Sequence, residues 1–524
     1  MQAGWLQDLK QEFTHMKIDR SKNAGRNVIF GVLLKIYQIL IPFVMRTIMI
    51  YFMGVQYLGL NSLFTSILQV LNLAELGVGS AMVYSMYKPI AEDDKKAICA
   101  LMALYRKYYH IIGIVIAVIG IAILPFIPKL IKSDLPQGIN IYILYLLNLA
   151  ATVLSYWLFA YKNCLLAAYQ RTDVTSKVLL ITSTIQYALQ IGIIIIFKNY
   201  YFYIIVMLIT QAFTNILTAF IVDKMFPQYK AKGNLNRRKV ENINQRIKDL
   251  FTAKFGNVIV GSADTIVISS FLGLTLLAVY QNYYFIMNSI CGVISVVFTS
   301  VTAGIGNSLV TESKEKNYND LKKFTFIICW ILCICCSCFI VLYQPFMELW
   351  VGKKFLLPFD MLILFCIYFY VCELSMVWAT VKDAAGLWHS DRFRPLAGAT
   401  VNLILNIILV RYIGLYGILL STIISYAFVS MPWLVHNLFS LLYRGQNIRQ
   451  YVGTVLKYII LTIISAFITW FICDQIKVSN LAAIILYGFI ALVIPNAIQY
   501  VFLKNTKEFK ESVKLMTRMI KKRR

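Results

Sequence analysis

The sequence predicts an all-α polytopic membrane protein of about fourteen transmembrane helices, built as two parallel six-helix repeats plus two extra helices. Three observations carry this expectation. Hydrophobic residues make up 59% of the 524 residues and charged residues only 14%, whereas soluble domains carry about 25% charge. Apolar runs of roughly 18 or more residues recur along the whole chain. Most of the 50 Lys and Arg fall in alternate connections between those runs. By the positive-inside rule this asymmetry places both termini in the cytoplasm of a multi-pass cell (inner) membrane protein.

The first six spans are expected over 27–50, 55–87, 104–127, 140–161, 178–197 and 201–222. The second six follow at 252–272, 276–310, 324–343, 360–381, 395–411 and 415–441. A last pair lies at 452–473 and 481–503. Two spans exceed the roughly 20 residues needed to cross, which implies tilt or protrusion. The expected organisation is thus an amphipathic segment 1–25, a first bundle 26–222, a cytoplasmic linker 223–250, a second bundle 251–441, the pair 452–503 and a basic tail 504–524. Residues 1–25 hold no continuous apolar stretch, so no cleavable signal peptide is expected.

An internal repeat supports the division. Gly77-Val78-Gly79-Ser80-Ala81-Met82-Val83 ends the second span, and Gly304-Ile305-Gly306-Asn307-Ser308-Leu309-Val310 ends the eighth. Lys162-Asn163 after the fourth span returns as Lys382-Asp383 after the tenth at a similar displacement. Six helices per unit give both units the same orientation, and transporters built this way bind substrate between the halves.

The net charge of +26 argues for a membrane surface and against nucleic acid, because it follows topology and forms no single patch. Both tails read as amphipathic helices on an anionic leaflet. Trp5, Leu6, Leu9, Phe13 and Met16 share one face, and Phe509, Val513, Met516 and Ile520 another. Cys329, Cys333, Cys335, Cys336 and Cys338 crowd one apolar run. They read as small hydrophobes in packing, not as a metal cluster or a disulfide framework.

Charges inside spans are the most informative residues, since burying them is costly and they usually face a cavity. Lys35, Gln38, Pro42 and Arg46 form a polar stripe along the first helix. The seventh helix, its repeat partner, carries Asn257, Gly261 and Asp264 on one face. Aligning Gly54 with Gly273 brings Asp264 to within one residue of the equivalent of Arg46. An acid and a base at matched points are expected to meet across a central cleft. Glu75, beside the Gly77 motif, is placed at the cytoplasmic mouth, and Glu373 reads as a mid-membrane proton or cation site. Asp264, Glu75 and Glu373 are therefore the gating or coupling candidates. Arg106 and Lys107 read as positive-inside anchors. There is no Gly-x-x-x-x-Gly-Lys-Ser/Thr loop and no His-Glu-x-x-His motif, so neither ATP hydrolysis nor metalloprotease chemistry is expected. The chain reads as a non-enzyme without a cofactor or metal.

The segment Leu58-Gly59-Leu60-Asn61-Ser62-Leu63-Phe64, continuing through Leu73-Ala74-Glu75-Leu76-Gly77-Val78-Gly79-Ser80-Ala81, resembles the first-half signature of Wzx-type lipid-linked oligosaccharide flippases of the multidrug/oligosaccharidyl-lipid/polysaccharide exporter (MOP) superfamily. Gly261-Ser262-Ala263-Asp264, Leu272-Gly273 and Ala278-Val279-Tyr280 are similar to that family's second-half pattern. The likeness spans about residues 20–500. It implies a V-shaped pair of six-helix bundles working by alternating access. It implies flipping of undecaprenyl-diphosphate-linked oligosaccharide repeat units for capsule, O-antigen or another surface polysaccharide, with a proton or sodium gradient as the driving force. Contact with a polysaccharide polymerase machinery is implied as well. By analogy with related lipid II flippases, helices 13 and 14 offer a groove for the lipid tail. Lys35 and Arg46 are suited to a diphosphate. Two competing readings remain. One is a multidrug or small-metabolite cation antiporter of the same fold. The other is a membrane polymerase or glycosyltransferase, for which the large external loop is missing.

Overall fold

A backbone inside lipid must satisfy its own hydrogen bonds, and the helix does this within one segment. The computed structural model describes residues 20–132, 135–476 and 481–521. Among the described residues every regular element is helical. Twelve helices among the described residues are long and apolar enough to cross a membrane, or thirteen if the bent pair Ile141–Trp157 with Ala160–Ala168 is one span. The seventh expected span has a shorter apolar run, Val258–Leu272, inside a long helix. The chain is a multi-pass membrane protein.

It divides into two compact units, Met1–Thr275 and Leu276–Arg524. In the first unit the helices are α1 (Arg20–Phe52), α2 (Val55–Leu71), α3 (Val78–Ala91), α4 (Lys95–Ile123), α5 (Ile141–Trp157), the short α6 (Asn163–Ala168), α7 (Thr172–Ile196), α8 (Tyr200–Met225) and α9 (Arg237–Leu272). Helix α1 packs along α7, α7 along α8, α8 along α5, and α4 along both α3 and α5. Helix α9 packs against α2 and α3. The second unit holds nearly all of α10 (Leu274–Thr311), then α11 (Lys314–Val351), α12 (Phe359–Ala384), the single turn α13 (Trp388–Asp391), α14 (Arg394–Ile413), α15 (Leu415–Ile424), α16 (Met431–Leu441), α17 (Ile448–Asp474), α18 (Leu481–Leu503) and α19 (Lys507–Lys521). Helix α11 is its hub, touching α12, α17, α18 and α19.

Helix ends follow capping residues more than hydropathy. Asp94, Asn140, Asn199, Asn236, Ser313 and Asn447 each accept a backbone N–H in the first turn of the following helix. This is why α4 starts at Lys95, α9 at Arg237 and α11 at Lys314, all well before their apolar runs. The stretch 223–250, expected as a linker, is therefore helical from Arg237 onward. Arg106 and Lys107, expected at a helix start, sit inside α4. Gly54 and Gly273 end the repeat partners α1 and α9 with φ of 112° and 92°, a region open to glycine because it lacks Cβ.

The second expected span is not one helix. Helix α2 ends at Leu71, a 3₁₀ turn covers Asn72–Glu75, Gly77 adopts φ 88°, and α3 begins at Val78. The twelfth span carries a π-helical stretch, Ser425–Ser430, between α15 and α16.

The last two spans seat on α11. Val341, Cys473 and Ala491 form a buried cluster, and Trp330 Nε1 donates to Asn496 Oδ1 at 2.8 Å. Cys329, Cys333 and Cys336 are buried in the same helix. The N-terminal amphipathic segment lies outside the described residues. The tail helix α19 departs from expectation at its start. Phe509 packs against Trp330, Tyr500 and Phe326 at ring distances of 5.7, 5.8 and 6.3 Å, so this part of its apolar face joins the bundle.

Candidate functional site

The break in the second span borders a cavity of mixed polar and apolar lining in the first unit. A helix interrupted at depth exposes backbone groups that lining residues or ligands must satisfy. Glu75 ends the 3₁₀ turn and accepts from the Tyr109 hydroxyl at 3.0 Å. Tyr105 donates in turn to Tyr109 at 2.6 Å, and Tyr156 donates to Asn72 Oδ1 at 3.2 Å. The carboxylate is held by a chain of phenols from α4. Beside it lies a cavity of about 570 Å³, lined by Glu75, Gly77, Gly79, Ser80, Tyr84 and Tyr87 among others. Gly77 is tightly framed: a Cβ there would meet Leu250 Cβ at 2.7 Å and Ile247 O at 3.1 Å.

Glu75 is the sequence candidate that lines this cavity. On α1, Lys35 and Gln38 are exposed and Arg46 is half-buried. Phe30 and Tyr37 hold α1 to α7: the Lys177 ammonium sits 4.3 Å from the Phe30 ring, and Tyr37 shares a 2.9 Å hydrogen bond with Thr184. Helical periodicity turns Lys35 and Gln38 away from that contact. Arg46 lies within electrostatic reach of Tyr203 on α8. On α9 the Asn257 side chain lies outside the described residues. Asp264 is buried, as are Ser262, Thr265 and Ser269 nearby. Ser269 Oγ donates to Leu130 O at 2.7 Å, fastening α9 to the segment after α4.

Glu373 belongs to the second unit, so the candidates do not form one cluster within either unit. It is 6% exposed on α12, and its Oε2 has no hydrogen-bond partner among the described residues. The Cys291 thiol lies against it. Two further features stand out, the first at the thirteenth span, where a groove was expected from the resemblance but with α11 and α12 as its other walls, and the second not anticipated from the sequence. One is an apolar groove of about 650 Å³ lined by Ile340, Ile363, Ile367, Ile463, Phe467 and Trp470 among others, from α11, α12 and α17. The other is a buried polar ladder. Asn402 donates to Thr422 Oγ1 at 2.9 Å, Asn406 to Asn402 Oδ1 at 3.3 Å, and Ser421 to Asn406. The Asn402/Asn406 spacing at i and i+4 was the available signal.

No family model and no curated protein sequence matches the chain. Solved structures do match. A lipid II flippase, MurJ in an inward closed conformation, aligns with TM-score 0.68 at 17% identity, covering 91% of this chain and 99% of that one. An inward-facing multidrug resistance MATE family transporter of the MOP superfamily aligns at 0.58 and 15% identity, covering 76% and 94%. A MATE transporter from Vibrio cholerae aligns at 0.53 and 15%, covering 82% and 99%. The chain shares the fold of these solved structures. In the two MATE alignments the match leaves out more of this chain than in the flippase alignment. That fold is shared by a lipid II flippase and by multidrug transporters, so it does not by itself name a substrate.

Proposed function

We propose that this chain flips undecaprenyl-diphosphate-linked oligosaccharide repeat units from the cytoplasmic to the outer leaflet of the cell membrane, by ion-gradient-driven alternating access. The observation that carries the reading is the apolar groove built by α17 against α11 and α12. Its lining is almost wholly hydrocarbon and aromatic, which suits a polyprenyl tail and offers nothing to a hydrated cation. In this reading Lys35, Gln38, Arg46, Asn257 and Asp264 line the substrate cleft. The cations meet the diphosphate, with Arg46 making the bidentate contacts. Asp264, Glu75 and Glu373 serve gating or proton or sodium coupling, because a carboxylate at membrane depth needs a cation, a proton or water. Both termini are cytoplasmic.

The competing reading, a multidrug or small-metabolite cation antiporter, is favoured by the MATE likeness and by the buried carboxylate of Glu373. One experiment separates them. A strain lacking this chain should accumulate lipid-linked repeat units in the cytoplasmic leaflet, and the wild-type chain should clear them. Arg46→Ala should fail to clear them at normal abundance, with Arg46→Lys retaining part. Clearance unchanged by the deletion, together with altered resistance to cationic drugs, would overturn the flippase reading.

A further inference from the structure

The cavity beside Glu75 has a composition that the cleft residues do not explain. Tyr84 and Tyr87 stand on its wall 59% and 48% exposed. Their rings meet edge to face, with centroids 6.1 Å apart and planes at 68°. Large aromatic rings left open inside a concavity are contact surfaces for a ligand. Between them and the floor lie Ser80 and the Glu75 carboxylate. The floor is kept low by glycine: a Cβ on Gly79 would come within 3.0 Å of the Tyr105 hydroxyl and 3.4 Å of Glu75 Oε1.

One cation completes the set. The guanidinium of Arg246, on α9, lies 4.4 Å from the centroid of the Tyr84 ring. It is held in this neighbourhood because α9 packs on α3 and because Tyr108 of α4 donates to Asn244 Oδ1 at 2.6 Å. Arg246 is exposed, so its edge remains open to an anion while its face rests on the ring.

We infer that this cavity is a loading site for a sugar diphosphate: the sugar ring stacks on Tyr87 beside Tyr84, Glu75 and Ser80 meet its hydroxyls, and Arg246 takes the diphosphate. The inference rests on the flippase reading and names which part of that substrate this cavity holds. Each partner fits by its chemistry. The C–H face of a sugar is electropositive and matches the negative face of a phenol ring. Sugar hydroxyls donate to a carboxylate. A diphosphate takes a guanidinium in paired hydrogen bonds. An organic cation, the usual guest of rings beside a carboxylate, is disfavoured because Arg246 already occupies the cation position over Tyr84.

The test uses the full-length chain in nanodiscs and two probes: a short-chain prenyl diphosphate carrying N-acetylglucosamine, and the same prenyl diphosphate without sugar. Binding is read by calorimetry, and folding by the thermal midpoint. Tyr87→Ala should weaken the sugar-bearing probe about tenfold, the scale of one lost stacking contact, and leave the bare probe unchanged. Tyr87→Leu, which keeps bulk without a π face, should behave like Tyr87→Ala. Arg246→Gln should weaken both probes. If Tyr87→Ala and Tyr87→Leu leave the sugar-bearing probe unaffected, or weaken both probes equally, the site assignment is wrong while the flippase reading stands on the export assay. If the wild-type chain binds neither probe, the loading site is wrong, and the flippase reading is decided by the export assay alone.

Discussion

The two halves carry similar glycine motifs at matched positions, yet the backbone treats the copies differently. In the first half the chain breaks: Asn72–Glu75 is a 3₁₀ turn and Gly77 has φ 88°. In the second half α10 runs unbroken from Leu274 to Thr311, straight through Gly304 and Gly306. The residues around the glycines account for this. Where the first copy has Glu75 the second has Thr302, whose hydroxyl donates to Phe298 O at 2.7 Å inside its own helix. Glu75 instead accepts from Tyr109 on another helix. Where the first copy has Tyr84 the second has Thr311, so the aromatic wall has no counterpart there. A shared motif thus sets a place where the helix can break, and side-chain partners decide whether it does.

The corners after the fourth and tenth spans show the same divergence in charge. Lys382 is buried and reaches Asp383 at 2.6 Å and Asp391 at 3.2 Å, with Arg394 on Asp391 at 2.7 Å. Its counterpart Lys162 pairs with Asp223, whose side chain is 60% exposed. The buried acid of the first half is Asp173, held by Arg171 at 2.9 Å and Lys177 at 3.5 Å.

The largest expected effect tests this charge contrast. Asp391→Asn leaves Arg394 facing a neutral amide in a covered site and Lys382 with Asp383 as its acid, and should cost about 3 kcal/mol, since removing one partner of a buried pair leaves a charge uncompensated. Asp223→Asn should cost under about 1 kcal/mol, because an exposed pair is screened. Thermal unfolding of the two purified variants measures the difference, and equal losses would erase the contrast between the corners.

A middle-sized effect tests the backbone contrast. Gly77→Ala forces a Cβ into a left-handed conformation and toward Leu250, and should destabilise by about 1–2 kcal/mol. Gly304→Ala enters a helix with nothing within 4 Å of the new atom, and should be neutral or stabilising by up to about 1 kcal/mol. Similar shifts of the unfolding midpoint in both would mean that the break is not set by Gly77.

The smallest expected change in stability tests what the break is for. Glu75→Gln keeps an acceptor for Tyr109 and removes the charge, so its thermal midpoint should move little while export falls by at least about tenfold, the scale of a lost charged contact. Thr302→Ala, at the matched place, should leave export unchanged. Wild-type export from Glu75→Gln would remove the carboxylate from the mechanism.

Much of this molecule was legible in its sequence. Apolar runs of bilayer length, bounded by basic connections, determined the membrane class and the approximate number of spans, because lipid allows a spanning α-helix few alternatives. The capping Asp94, Asn236 and Ser313 were not read from the sequence, although caps act over only three or four residues. Hydropathy placed helix ends poorly where a polar amphipathic turn extends an apolar run, as at α9 and α11. Single acids were also visible: Glu75 and Glu373 stand out in apolar stretches of the sequence. What only the tertiary structure decided is how residues far apart in the chain come together. The sequence cannot show that Tyr109 reaches Glu75, that Arg246 rests on Tyr84, or that three helices leave an apolar groove. Those contacts depend on which helix faces pack, and packing energy is shared among many side chains, none of which specifies the pairing alone.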